Sequence, residues 1–66
     1  MNIALNDQTH PCPAQSRLDD IIRAEYGERA GMAVALNGEV VPRGQWADTP
    51  LSEGDRLDVF HAVAGG

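Results

Sequence analysis

Few side chains in this sequence could do chemistry, and their types and spacing exclude most reaction classes. No lysine occurs, and arginine supplies all 5 cationic side chains. This removes Schiff-base chemistry, a P-loop lysine and a polybasic membrane patch together. The single cysteine, Cys12, has no partner for an internal disulfide and cannot build a zinc site alone. It reads as a small packing residue. His10 and His61 stand far apart, with no carboxylate or cysteine at metal-ligand spacing beside them. Ser16 precedes a helical pattern and reads as a helix cap rather than a nucleophile. Glu53, Asp55 and Asp58 gather around Gly54, where a turn favours charged residues anyway. No set of nucleophile, base and orienting group emerges, so no enzyme active site is expected.

The remaining chemical handle is the end of the sequence, Ala64-Gly65-Gly66. Two glycines there can mean a frayed end and nothing more. They also make a slim tether, because backbone without Cβ can pass close to another protein surface or through a narrow channel. These glycines follow an apolar segment directly, with no polar spacer. A carboxylate is a poor electrophile, so any transfer through Gly66 requires an enzyme to activate it first, as an acyl-adenylate made with ATP. On this reading Gly66 is the chemical site, and Ala64 and Gly65 form the tail that delivers it.

Length and composition limit what can position such a tail. Sixty-six residues allow one domain, 1–66, with 64–66 as a flexible tail. A chain this short buries only about 60% of its unfolded surface. Hydrophobic residues at 42% exceed what a disordered acidic tail carries, and the net charge of −5 disfavours nucleic acid as a partner. An acidic surface favours basic protein partners instead. Apolar runs are too short for a membrane span or a signal-peptide core. With one unpaired cysteine, a reducing cytoplasmic location is expected.

The elements follow from periodicity. Met1, Ile3 and Leu5 alternate with small or polar residues, as in a half-buried strand. Asn6-Asp7 turns the chain into a second strand over Gln8 to Pro13. Pro11 and Pro13 remove amides on the same side of that strand, which places it at a sheet edge. Leu18, Ile21, Ile22 and Tyr26 share one helical stripe, ended by Gly27 or Gly31. Asn37-Gly38 between apolar runs predicts a type I′ hairpin. Pro42 ends the hairpin, Trp46 anchors a short crossover over Arg43 to Asp48, and Leu51 tucks in. A last strand runs from Arg56 to about Val63. The first and last strands pair centrally and parallel if the helix crossover is right-handed. The expected fold is α+β: a ubiquitin-like β-grasp, a mixed ββαβββ sheet packed on one helix. Alternation along the last strand turns Leu57 and Val59 inward and Asp58, Phe60 and Ala62 outward. Phe60 is the one phenylalanine, and an exposed aromatic beside a working tail marks a docking surface. Val41 and Arg43 are the next candidates for that surface.

The residues resemble the ThiS family of sulfur carriers in bacterial thiamine biosynthesis. The resemblance spans the whole chain. It is carried by Asn37-Gly38-Glu39-Val40-Val41-Pro42-Arg43 with Trp46, then Leu51 with Gly54-Asp55, then Val63-Ala64-Gly65-Gly66. The related carrier of molybdopterin synthase shares the fold and the Gly-Gly end but generally lacks the Val-Pro-Arg-x-x-Trp pattern. Membership implies a carrier without catalytic activity or a cofactor of its own. The resemblance further implies that a ThiF-like enzyme adenylates Gly66 with ATP, that a cysteine persulfide from a desulfurase or sulfurtransferase supplies sulfur as a thiocarboxylate, and that a ThiG-like thiazole synthase takes that sulfur. The alternatives are sulfur carriage into molybdenum-cofactor or amino-acid synthesis, and a non-carrier ubiquitin-like interaction module.

Overall fold

Asn37 and Gly38 adopt φ of 51° and 85°, the doubly positive turn that a two-residue hairpin loop demands. They join β3 (Met32–Leu36) to β4 (Glu39–Val41), with Leu36 opposite Glu39. The structure, a computed structural model, describes residues 1–27 and 31–61. The other strands are β1 (Asn2–Leu5), β2 (Gln8–Pro11) and β5 (Arg56–His61). One sheet holds all five in the order β2-β1-β5-β3-β4. β5 is central, parallel to β1 and antiparallel to β3. The mixed sheet with one helix, α1 (Leu18–Tyr26), is the β-grasp arrangement expected from the sequence.

β2 is an edge strand, as its prolines require, though it is shorter than expected and stops at Pro11. Cys12 lies beyond it but still faces β1: its amide donates to the Met1 carbonyl at 2.8 Å, and its carbonyl accepts from the Met1 amine at 2.7 Å. Both prolines therefore turn toward the side with no neighbour.

The helix starts differently from its sequence signal. Ser16 does not cap it; the hydroxyl donates to the Pro13 carbonyl at 2.6 Å. The capping residue is Arg17, whose amide donates to the Asp20 carboxylate at 2.8 Å. The cause is tertiary. The Ser16 carbonyl accepts from Leu51 and the Leu18 amide donates to Thr49, so Arg17 bridges to Pro50 in extended form. At the other end Gly27, at φ of 69°, closes the last turn with its amide on the Arg23 carbonyl.

Ile3, Leu5, Leu18, Ile21, Ile22, Met32, Val34, Trp46, Leu51 and Leu57 form the core, with Met1, Cys12, Tyr26, Leu36, Val41 and Val59 packed against it. Trp46 is buried on a 3₁₀ helix (Arg43–Asp48), and its indole N–H donates to the Val41 carbonyl at 2.9 Å. That bond removes the cost of burying the polar end of the ring. Val59 faces the core as expected but is only half-buried.

Candidate functional site

β5 ends at His61, and its two faces separate the core from the residues named as docking candidates. Leu57 is fully buried against the helix side, which turns Arg56, Asp58 and Phe60 to the opposite face. Phe60 is 56% exposed there. Strand register builds a patch around it: Ala33 lies opposite Phe60, and Ala35 lies opposite both Asp58 and Val40. Val40 is 68% exposed, the other large apolar side chain left open among the described residues. Ala35 is buried between its neighbours and forms the floor.

Asp58 is half-buried and pairs with Arg56 at 3.5 Å on this face. Glu53 and Asp55 do not join it. They sit ahead of β5, where Glu53 accepts the Asn2 amide at 2.9 Å and Asp55 accepts the Ser52 amide at 2.8 Å. Those carboxylates hold the turn, so of the three acids grouped around Gly54 in the sequence only Asp58 shares the face of Phe60.

Val41 and Arg43 lie on the other layer. Val41 sits opposite buried Val34 and packs on the core, and the Arg43 guanidinium stacks over the Trp46 ring at 5.5 Å. The sequence reading named Val41 and missed Val40. The signal was present, because a two-residue turn pairs Leu36 with Glu39 and thereby sends Val40 to the face of Phe60. Ala62, Ala64, Gly65 and Gly66 lie outside the described residues, as does Val63 at the expected end of the last strand. Cys12 is half-buried against the core, in keeping with a packing role. His10 approaches Glu25 at 4.0 Å, and the His61 ring meets Tyr26 edge-on at 5.9 Å. Among the described residues no group of three or more His, Cys, Asp or Glu side chains is placed to hold a metal ion.

The model of the ThiS family matches residues 2–66. The chain belongs to the ThiS family. The sulfur carrier protein ThiS of Escherichia coli (strain K12) is 36% identical over 66 residues, covering 100% of both chains. The crystal structure of a thiamine biosynthesis protein (ThiS) from Geobacter metallireducens superposes with a TM-score of 0.86 over 100% of both chains, at 23% identity. That likeness establishes the fold. A solution structure of a thiamine biosynthesis protein from the same organism gives a TM-score of 0.78 at 25% identity, covering 100% of this chain and 88% of that one. At the level of the family, this chain is a sulfur carrier of thiamine biosynthesis, which works through enzymes that activate it and enzymes that use its sulfur. Among the described residues no helix is long and apolar enough to cross a membrane.

Proposed function

We propose that Gly66 is the working end of this ThiS-family carrier and that the Phe60 face docks it on its partner enzymes. The observation that supports the first part is the family match, which runs through residue 66 and so includes the Gly-Gly end. A ThiF-like enzyme joins the Gly66 carboxylate to the α-phosphorus of ATP and releases pyrophosphate. The resulting acyl-adenylate has AMP as leaving group, so a persulfide sulfur can attack the carbonyl. A further thiol then cleaves the acyl disulfide and leaves the thiocarboxylate. The sulfur comes from a cysteine desulfurase or sulfurtransferase, and a ThiG-like thiazole synthase consumes it. The chain contributes no cofactor, since the ATP is consumed by the activating enzyme, and it works in the cytoplasm.

Ala64 and Gly65 serve as the narrow tether. Adding a single alanine after Gly66 tests this reading. The carboxylate then sits one residue too far along, so sulfur loading by a ThiF-like enzyme, ATP and a persulfide donor stops while binding to the enzyme persists. An extended chain that loads sulfur as well as the native one overturns the assignment.

Docking falls to Phe60 with Val40 and Ala33, with Asp58 beside them on the same face, and Ala62 is assigned to the same surface. A carrier visiting several enzymes needs a contact that guides the tail and still releases. Phe60→Ala is expected to raise the KM for the carrier in adenylation several-fold, a loss of about 1–2 kcal/mol typical of an interface anchor. The denaturation midpoint should stay near that of the native chain, because Phe60 is open to solvent. An unfolded Phe60→Ala chain would mean that the ring supports the core instead.

A further inference from the structure

The sheet leaves the outer end of β5 short of support on one side. β1 pairs with β5 only through Ala4 with Arg56 and Leu5 with Leu57. The Asn6 amide adds one bond to the Leu57 carbonyl at 2.9 Å, and then the chain turns away into β2. β5 continues to His61, immediately ahead of 62–66. Where the next peptide of β1 would stand, the side chain of Asn6 stands instead: its Oδ1 accepts the Val59 amide at 2.8 Å. Its Nδ2 donates to the Tyr26 hydroxyl at 3.2 Å, and the Tyr26 ring meets His61 edge-on. One side-chain amide thus joins the end of β5 to the end of α1 with both of its polar atoms engaged.

Asn6 itself sits at φ of 49°, in the left-handed region that asparagine tolerates better than most residues. A turn at this position needs only the backbone conformation, which glycine supplies more easily. The side-chain bonds to Val59 and Tyr26 therefore do something the turn does not require.

We propose that Asn6, backed by Tyr26, is a positioning residue for the tail. It holds Val59 to His61 in line, and so fixes the end of β5 from which the Gly66 carboxylate has to reach the activating enzyme's ATP. This rests on the carrier reading above. Asn6 touches no reacting atom and lies off the Phe60 patch, so it acts on the reaction step rather than on docking.

Two variants of the full chain separate the clamp from the turn. Asn6→Gly keeps the positive φ and removes the amide. Asn6→Asp keeps an acceptor for Val59, and the Tyr26 hydroxyl can donate to it. In Asn6→Gly the Val59 amide should exchange with solvent roughly five- to tenfold faster, since one hydrogen bond is lost. The proton NOE between the Tyr26 and His61 rings should weaken as well. In adenylation by a ThiF-class enzyme, followed by pyrophosphate release, kcat should fall roughly tenfold or more, as misplaced reacting groups do, with KM nearly unchanged. Asn6→Asp should restore exchange, NOE and kcat together. Native kcat in Asn6→Gly, a loss confined to KM, or a failure of Asn6→Asp to restore kcat overturns the proposal. If the native chain is not adenylated at all, the carrier reading fails, whereas Val59 exchange and the ring NOE still decide whether the clamp exists. Unchanged values for both in Asn6→Gly would exclude it.

Discussion

Deleting Gly66 is expected to abolish a mass gain of ~16 units that the full chain shows when one carboxylate oxygen is replaced by sulfur in acyl-transfer loading. The gain should appear after incubation with ATP, a ThiF-like enzyme and a persulfide donor, and intact-protein mass spectrometry reads it directly. The effect is all or none, because the deletion leaves Gly65 as the terminal residue and shortens the tether. Cys12→Ser provides the control. The cysteine is half-buried and packs against the core. Cys12→Ser should keep the full gain. Loss of the gain in Cys12→Ser, with the Gly66 deletion still active, would move the sulfur to the thiol and refute the Gly66 assignment.

Leu57→Ala should nearly unfold the domain. Leu57 is fully buried at the centre of the sheet, with Leu5 and Leu36 as its partners on either side. A Leu→Ala truncation at such a site costs about 2–5 kcal/mol through lost transfer energy and the cavity left behind. At about 0.05–0.15 kcal/mol per residue, a domain of this length holds only about 3–10 kcal/mol in all. A urea titration followed by Trp46 fluorescence should therefore show a collapsed or absent folded baseline. Val40→Ala, at a side chain 68% exposed, should shift the same curve by no more than about 0.5 kcal/mol. Equal shifts in the two variants would mean that the strand faces are assigned the wrong way round.

The candidate site is only partly legible in the sequence. Alternation alone turns Phe60 outward, and the structure leaves it exposed. Val40 could have been found by the same counting from Asn37-Gly38, since two-residue turns impose register. The roles of the acids are not legible in the same way. Composition shows that Glu53 and Asp55 are charged, but only the folded chain brings the Asn2 amide to Glu53 across 51 positions of sequence. A carboxylate engaged with backbone amides is not available as a docking rim.

The sequence by itself determined the hairpin, the edge strand, the helix stripe and the core positions. Each rests on local rules, namely positive φ at Asn37-Gly38, missing amides at Pro11 and Pro13, and periods of 3.6 and 2 in the apolar residues. It also carried the family pattern through Gly66. Only the tertiary structure decided what long-range pairing controls. The segment from Thr49 to Leu51 pairs with Ser16 and Leu18, so the helix begins on Arg17 and Asp20 instead of on a serine cap. The early end of β1 leaves β5 to be completed by the Asn6 side chain, and Tyr26 meets His61 there. Backbone groups must find partners wherever the fold sets them, and the identity of those partners is a property of the packed chain rather than of any stretch of it.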